Sequence, residues 1–263
     1  MGRPRALVLR TAGTNCDAEA VHACELAGAE VERLHIHRLL ADPTLLERYH
    51  LLILPGGFSY GDDIGGGRIL ANEIRHRLAE PFERFTIEGK LVLGICNGFQ
   101  VLVKSGLLPG GVPGPTPTVT LTHNDSNRFE DRWVYLKAVS DRCVFVERGE
   151  ILYLPVAHAE GKFMTIDDDV TEQLRTNDQI AFVYTDAQGR TIGYPGNPNG
   201  SIHDIAGITS PNGRMLGLMP HPERHVSPYQ HPSWTRRPPG PNDEGAGLAI
   251  FRRAMELAKA ELV

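Results

Sequence analysis

Cys96 is the side chain of this sequence best placed to act as a nucleophile. It follows the apolar run Leu91–Ile95, precedes a stretch with a helical pattern, and has Gly94 and Gly98 two residues away on either side. A tight strand-to-helix turn needs small residues at those positions, and the beginning of a helix offers unpaired N–H groups that favour negative charge. The pattern predicts a nucleophile elbow whose thiolate attacks a carbonyl carbon.

His221 is the predicted base for this nucleophile, among eleven histidines. It follows an apolar run and precedes Pro222 and Glu223. Proline favours extended backbone at the residue before it, and residues i and i+2 of an extended chain point the same way. We therefore expect Glu223 to reach the imidazole and hold its tautomer, so that the three residues form a triad. His158 is a second possible base, ranked lower because a loop residue that shapes the site is its more ordinary role.

The other three cysteines are expected to play structural roles. Cys16 also precedes a helical pattern, but Asp17 beside it is a natural N-cap and an acidic neighbour that disfavours a thiolate. Cys24 falls on the apolar face of that helix, and Cys143 lies in a β-prone stretch. Their wide spacing suggests neither a zinc knuckle nor a disulfide framework, so all four are predicted to be reduced thiols.

Two backbone amides could bind the oxyanion that such an attack creates. Gly57 lies where an apolar strand ends, and its N–H could act together with that of Asn97, the residue after the nucleophile. The glycines at 65–67 lack the spacing of a dinucleotide site, and the chain has no P-loop motif. His221 and His225 are spaced like a zinc pair, but a proline between them and the lack of a third ligand argue against a metal.

Alternating apolar and helical patterns predict an α/β fold built on a parallel sheet, with the functional loops beyond the carboxyl ends of its strands. From residue 106 onward, β-prone stretches predict a mixed-sheet extension, a long surface loop at 227–243 and a closing helix at 245–262. The predicted strands are 5–10, 30–36, 49–54, 91–95, 133–139, 150–155, 180–185, 206–208 and 215–219.

Length and composition favour one ordinary globular domain covering residues 1–263. The chain is 41% hydrophobic and 22% charged, with a formal charge of −5. Its basic residues form no stripe, so nucleic acid is not an expected partner. The apolar run at 6–9 is too short for a signal sequence or a membrane span, so we expect neither membrane association nor secretion, and a cytoplasmic location.

The sequence resembles the class I glutamine amidotransferases, and among them the glutaminase subunits of phosphoribosylformylglycinamidine synthase, over almost the whole chain. The elbow around Cys96 is shared by many amidotransferases, whereas the segments 97–100, 197–201 and 219–224 point to this subfamily. The segments that carry the resemblance are 13–17, 55–62, 94–100, 106–109, 127–130, 157–161, 194–201 and 219–224.

The resemblance implies a flavodoxin-like sheet flanked by helices and a Cys96, His221 and Glu223 triad. It implies that Cys96 releases ammonia from glutamine through a glutamyl thioester, that Gly57 and Asn97 hold the oxyanion, and that Gln100 helps to bind glutamine. It also implies that ammonia passes to a synthetase subunit that uses ATP and Mg²⁺, with a small accessory subunit, in purine biosynthesis. No cofactor is expected in this chain itself.

Two segments depart from the family pattern, and two alternatives stay open at this point. Residues 64–67 lack the usual Leu-Arg run and residues 227–243 are longer than usual, which concerns partner docking rather than the triad. A cysteine peptidase or another amidase on the same scaffold would share the elbow. A pseudoenzyme that only docks on a synthetase would be expected to lack a triad member, and all three are present.

Overall fold

A nine-stranded sheet is the framework of the protein. The computed structural model describes residues 2–114, 117–236, 238–240 and 243–263. The strands in these residues are β1 (Arg5–Arg10), β2 (Glu30–His35), β3 (Leu51–Leu54), β4 (Leu91–Ile95), β5 (Val119–Thr122), β6 (Glu130–Ala138), β7 (Ile151–His158), β8 (Lys162–Thr165), β9 (Ile180–Thr185), β10 (Ile205–Thr209) and β11 (Met215–Leu218).

The first half of the sheet is parallel and has the flavodoxin-like strand order. Its strands run β2-β1-β3-β4-β11, and every neighbouring pair in that series is parallel. With β11 as the fifth strand, this is the 2-1-3-4-5 order of doubly wound folds. β3 and β4 are buried along their whole length, as expected for parallel strands covered on both faces. The predicted fold class is confirmed.

The second half of the sheet is antiparallel, as the predicted mixed extension requires. The order continues β11-β10-β9-β6-β7, with each neighbouring pair antiparallel. β5 and β8 form a separate antiparallel pair. The predicted strands all exist with small changes at their ends. Ile36 is one such change, because it begins a helix instead of ending β2.

Helices flank the sheet and complete the core. α1 packs on β1, β2 and α8, while α5 packs on β4, β3, β11 and α3. Buried apolar residues on one side of α8 confirm the predicted closing helix. The helices are α1 (Asp17–Leu26), α2 (Ile36–Ala41), α3 (Arg68–Arg77), α4 (Ala79–Ile87), α5 (Asn97–Lys104), α6 (Leu107–Gly110), α7 (Asp168–Thr176) and α8 (Leu248–Glu261).

Short 3-10 turns and loops connect these elements. The turns are Pro43–Arg48, Ser59–Asp62, Ile202–Asp204, Pro222–Arg224 and Pro228–Gln230. In the predicted surface loop 227–243, residues 237, 241 and 242 lie outside the described part, as do 115 and 116 in the Pro- and Gly-rich stretch before β5. No helix in the described ranges is long and apolar enough to span a membrane. The division of residues 1–263 as one domain stays a prediction.

Candidate active site

Four loops at the carboxyl ends of parallel strands meet around one pocket. They follow β1, β3, β4 and β11, and the first two are joined by an isolated bridge between Thr14 and Gly57. The pocket has a volume of about 220 Å³, which suits a ligand smaller than a drug molecule. It is lined by Asn15, Cys16, Gly57, Phe58, Cys96, Phe129, Asp131, Ala157, His221 and Arg224.

Cys96 sits on a strained turn, as the glycine spacing predicts. Its φ of 51° and ψ of −105° lie in a region that non-glycine residues rarely adopt. A Cβ on Gly98 would lie 1.8 Å from the carbonyl oxygen of Leu54, and one on Gly94 would lie 2.5 Å from Leu102. The two glycines therefore let α5 pack directly on β3 and β4. This packing holds Cys96 at the carboxyl end of β4. Its thiol approaches the carbonyl oxygen of Ala157 at 3.8 Å.

His221 and Glu223 form a buried hydrogen-bonded pair. The Nδ1 atom of His221 lies 2.6 Å from Oε1 of Glu223, and both side chains are almost wholly buried. The predicted contact is present, but its geometric reason is different from the one expected. His221 itself is extended, whereas Pro222–Arg224 is a 3-10 turn that bends Glu223 back toward the imidazole.

The surroundings of His221 favour its charged form. Burial opposes the imidazolium, but the carboxylate of Glu223 and the nearby thiols of Cys96 and Cys16 outweigh this effect and hold the pKa of His221 well above its usual range. Nε2 of His221 is buried and has no hydrogen-bond partner among the described residues. Since Glu223 occupies Nδ1, Nε2 is the nitrogen left to exchange a proton with a reacting group.

Cys16 lies in the loop that caps α1, as expected, and it also belongs to the same pocket. Its Sγ lies 3.8 Å from Nδ1 of His221 and accepts a hydrogen bond from Nη2 of Arg224 at 3.1 Å. Burial is the main reason that its pKa is raised, which keeps it in the thiol form. The signal that could have revealed it is its place in the loop that follows the carboxyl end of β1, on the same side of the sheet as Cys96.

Asp17 does not act as the N-cap of α1, so the prediction that it caps this helix was wrong. Cys16 occupies the cap position without a side-chain cap bond, and Asp17 is the first helical residue. The carboxylate of Asp17 instead pairs with Arg33 at 3.2 Å and with Arg10 at 3.6 Å. The carboxylate of Asp17 thus pairs with two arginines on neighbouring strands instead of accepting a hydrogen bond from the N–H groups of α1.

Of the two residues whose amides are predicted to hold an oxyanion, Gly57 lines the pocket, and Asn97 directly follows the pocket residue Cys96. Gly57 has a φ of +140°, and a Cβ there would lie 2.7 Å from the backbone nitrogen of Asn15, so only glycine fits. The bridge to Thr14 uses the groups on either side of Gly57, and its own N–H has no acceptor in the described part of the chain. Asn97 begins α5, where N–H groups lack intrahelical partners.

Gln100 lies one helical turn below Cys96 and is not among the residues lining this pocket. Its Nε2 donates to the carbonyl of Glu160 at 2.7 Å, and its Oε1 accepts from Asn97 at 2.9 Å. Gly66 packs so closely that a Cβ there would lie 2.5 Å from Oε1. A role for Gln100 in glutamine binding stays a prediction, and it would require these contacts to open.

His158 is buried beside His221. Its Nδ1 donates to Oδ1 of Asn124 at 3.2 Å, and its buried Nε2 has no partner among the described residues. Burial, and to a lesser extent His221, lowers the pKa of His158 to about 3. Of these two histidines, only His221 lines the pocket and has a carboxylate partner.

The four cysteines are free thiols, as predicted. Cys24 and Cys143 are fully buried in the core, where burial raises the pKa of both thiols, to about 11 for Cys143. In the described ranges, one group of potential metal ligands comes together, formed by Cys16, His221 and Glu223 within 4.8 Å of one another. These atoms already bond to each other and to Arg224, and the absence of a metal stays a prediction.

Comparison with known proteins gives a consistent result along the chain. Residues 3–257 match the family model described as a CobB/CobQ-like glutamine amidotransferase domain. A protein of Dehalococcoides mccartyi, phosphoribosylformylglycinamidine synthase subunit PurQ, is 49% identical over 98% of this chain and 99% of its own. The PurQ subunit of Archaeoglobus fulgidus is 42% identical over 95% of both chains.

Solved structures agree with the sequence relatives. A chain in the structure of PurLQS from Thermotoga maritima superimposes with a TM-score of 0.73 and 32% sequence identity. The match covers 97% of this chain and 99% of that one.

Proposed function

The chain belongs to the glutamine amidotransferases and, among them, to the PurQ subunits of phosphoribosylformylglycinamidine synthase, and we propose that Cys96, His221 and Glu223 hydrolyse glutamine for that enzyme. The observation that carries the proposal is the short bond between Glu223 and Nδ1 of His221, which leaves Nε2 free in a pocket shared with Cys96. This is the base and orienter arrangement that a thiol nucleophile needs.

In the first half-reaction, Nε2 of His221 holds the proton of Cys96, and Sγ attacks the side-chain carbonyl carbon of glutamine. A carbon–sulfur bond forms, and the carbonyl oxygen becomes an oxyanion held by the N–H groups of Gly57 and Asn97. The imidazolium then gives its proton to the amide nitrogen, the carbon–nitrogen bond breaks, and ammonia leaves. Glu223 stabilises the imidazolium between these two proton transfers.

In the second half-reaction, water hydrolyses the glutamyl thioester. His221 takes a proton from the water, whose oxygen attacks the thioester carbon with the same two N–H groups stabilising the oxyanion. The carbon–sulfur bond breaks and the proton returns to Cys96, which releases glutamate. No step needs a metal or a redox cofactor.

We propose further that the ammonia serves a synthetase subunit that uses ATP and Mg²⁺, with a small accessory subunit, to form formylglycinamidine ribonucleotide. The support is the PurLQS structure, which contains the similar Thermotoga maritima chain. The location we propose is the cytoplasm, in keeping with four free thiols.

A glutaminase assay of the assembled enzyme tests this function. Purified chain is combined with the synthetase, and activity is measured with glutamine or with ammonium chloride as nitrogen source. Cys96→Ala should abolish glutamine-dependent activity and leave ammonia-dependent activity unchanged, because only the nucleophile is removed. Glutamine-dependent activity that persists in Cys96→Ala would refute the assignment.

A further inference from the structure

A second cavity is lined by α3, the end of α5 and the start of β5. Its volume of about 470 Å³ is more than twice that of the pocket at Cys96, and the two share no lining residue. The cations Arg68, Arg75 and Lys104 line this cavity, and no carboxylate of the described residues does. Three positive charges thus face one cavity in a chain whose formal charge is −5.

Arg68 and Lys104 face the same open space. A Cβ built on Gly65 would lie 3.9 Å from Nζ of Lys104 and 4.0 Å from Nε of Arg68. Apart from the chain neighbours of Gly65, no other atom of the described residues lies within 4 Å of that point. Since like charges repel each other, an anion is the kind of ligand that would stabilise this pair.

The charges of this pair are only partly compensated by the protein. Arg68 is exposed, and among the described residues its side chain has no hydrogen bond or ion pair. Lys104 donates to the carbonyl oxygen of Gly66, and its ion-pair partner is Glu160, whose Oε2 lies 3.8 Å from Nζ. Burial is the main reason that the pKa of Lys104 is lowered, and the charge of Arg68 lowers it further, whereas Glu160 opposes both effects. One carboxylate therefore serves two cations.

The backbone of the glycine-rich turn before α3 is already occupied. The N–H group of Gly66 donates to Oε2 of Glu160 at 3.2 Å, and that of Gly67 donates to Oδ1 of Asp62 at 3.1 Å. An anion in this cavity would therefore be bound by side chains, and not by backbone N–H groups as in a phosphate-binding loop.

Neutral donors lie beside the two cations. Thr118 and Thr120 line the cavity on either side of the buried Val119, and because extended residues alternate, their exposed hydroxyls point the same way. Asn72 is exposed one turn after Arg68 on α3. The cavity thus offers hydrogen-bond donors next to its positive charges.

We propose that Arg68 and Lys104 bind a phosphoryl group in this cavity, carried by a free polyphosphate or by a nucleotide. A phosphate monoester has a charge of about −1.5 to −2 at neutral pH and three acceptor oxygens, so it can contact both cations and the threonine hydroxyls. The guanidinium fork of an arginine matches two oxygens of one phosphate. The cavity is separate from the proposed triad, so this inference goes beyond the proposed function and does not depend on it.

Calorimetric titration of the full chain, without a synthetase, tests the proposal. Pyrophosphate, ADP, citrate and adenosine are the ligands, and leaving out the synthetase removes any nucleotide site that it contributes. Pyrophosphate and ADP should bind, whereas adenosine, which has no phosphoryl group, should not. Citrate, an anion without phosphate, should bind more weakly than pyrophosphate. Tighter binding of ADP than of pyrophosphate would identify a nucleotide as the ligand, and equal binding would identify a free polyphosphate.

Arg68→Gln is the decisive variant, because no described contact depends on this side chain. It should raise the Kd for pyrophosphate by about 10- to 100-fold, as expected for loss of a charged hydrogen bond, and should keep the wild-type midpoint of urea unfolding. Lys104→Gln should also raise the Kd. Arg77→Gln, an exposed position at the end of the same helix, is the matched control and should bind pyrophosphate as wild type does.

Four results would overturn the inference. The first is that neither pyrophosphate nor ADP binds, and the second is that adenosine or citrate binds as tightly as pyrophosphate. The third is a wild-type Kd in Arg68→Gln, which would place the ligand elsewhere. The fourth is an equal loss of affinity in Arg77→Gln, which would show that the anion responds to the overall charge of the helix. Glutaminase activity is not measured, so failure here is distinct from failure of the proposed function.

Discussion

His158 should make the folded protein sensitive to mild acid, and replacing it should remove part of that sensitivity. The side chain is only 3% exposed, and its pKa is lowered from 6.5 to about 3 by burial and by the nearby His221. The folded state therefore holds a neutral imidazole that the unfolded chain protonates at a higher pH. Its contribution to stability is fully present above pH 6.5 and is lost as the pH falls toward about 3.

The size of the effect follows from the gap between the two pKa values. Each pH unit below 6.5 costs about 1.4 kcal/mol for one such group, until the folded pKa is reached. Between pH 8 and pH 5, the stability contributed by His158 should therefore fall by about 2 kcal/mol. That is a sizeable part of the free energy of unfolding of an ordinary domain.

Urea unfolding at pH 8 and pH 5 measures this difference directly. His158→Gln removes the titrating ring, so its loss of unfolding free energy between the two pH values should be smaller than that of wild type by about 2 kcal/mol. His22→Gln, an exposed position on α1, is the matched control and should lose as much as wild type. An equal loss in His158→Gln and wild type would show that the imidazole is not buried in its neutral form.

Three further predictions follow from the site. Glu223→Gln should lower kcat/KM for glutamine by about 100- to 10,000-fold. It should also move the part of the pH–rate profile that reports the titration of His221 to lower pH, because the carboxylate that raises the pKa of His221 is gone. A pH–rate profile that does not move would exclude this role of Glu223. His221→Ala should be more severe than Glu223→Gln, and near-normal activity would transfer the role of base to His158. Gly98→Ala should lower the free energy of unfolding by about 3 kcal/mol or more in urea titrations, since its Cβ would collide with backbone; a loss under 1 kcal/mol would contradict the close packing.

Local patterns were enough to predict the elbow and the sheet because both depend on short-range sequence rules. Gly94 and Gly98 reveal close backbone contact on both sides of Cys96, and the structure places backbone or side-chain atoms at those positions. The parallel half of the sheet follows from apolar runs separated by helices, since crossover connections force that arrangement.

What the sequence could not give is how distant loops come together. Cys16 and His221 are 205 residues apart, yet their side chains meet because the carboxyl ends of the parallel strands β1 and β11 lie on the same side of the sheet. The ranking of Cys16 below Cys96 as a nucleophile used only its neighbours in sequence. Asp17 was misjudged for the same reason, because its partners Arg10 and Arg33 belong to other elements.

The contact between His221 and Glu223 was predicted correctly, but the prediction assumed an extended chain at all three residues 221–223. Proline does fix an extended conformation at His221, but it also begins a 3-10 turn, and that turn sets the 2.6 Å bond.

Regulation of the proposed activity by the synthetase is open to a simple kinetic experiment. A free glutaminase would waste glutamine, so the isolated chain is expected to turn over slowly and to become faster when the synthetase and its nucleotide ligands are added. The loop after Gly57 is the expected point of control, because it carries an oxyanion donor. Full activity of the isolated chain would show that its site is already complete.

The most direct measurement of the central claim is the site of covalent labelling by a diazoketone analogue of glutamine. Two thiols line the pocket, so the reagent can distinguish the nucleophile from its neighbour. Mass spectrometry of the digested adduct should place the label on Cys96, with protection by excess L-glutamine and little label on Cys16. A label found mainly on Cys16, or on Cys96 without protection by glutamine, would contradict the account.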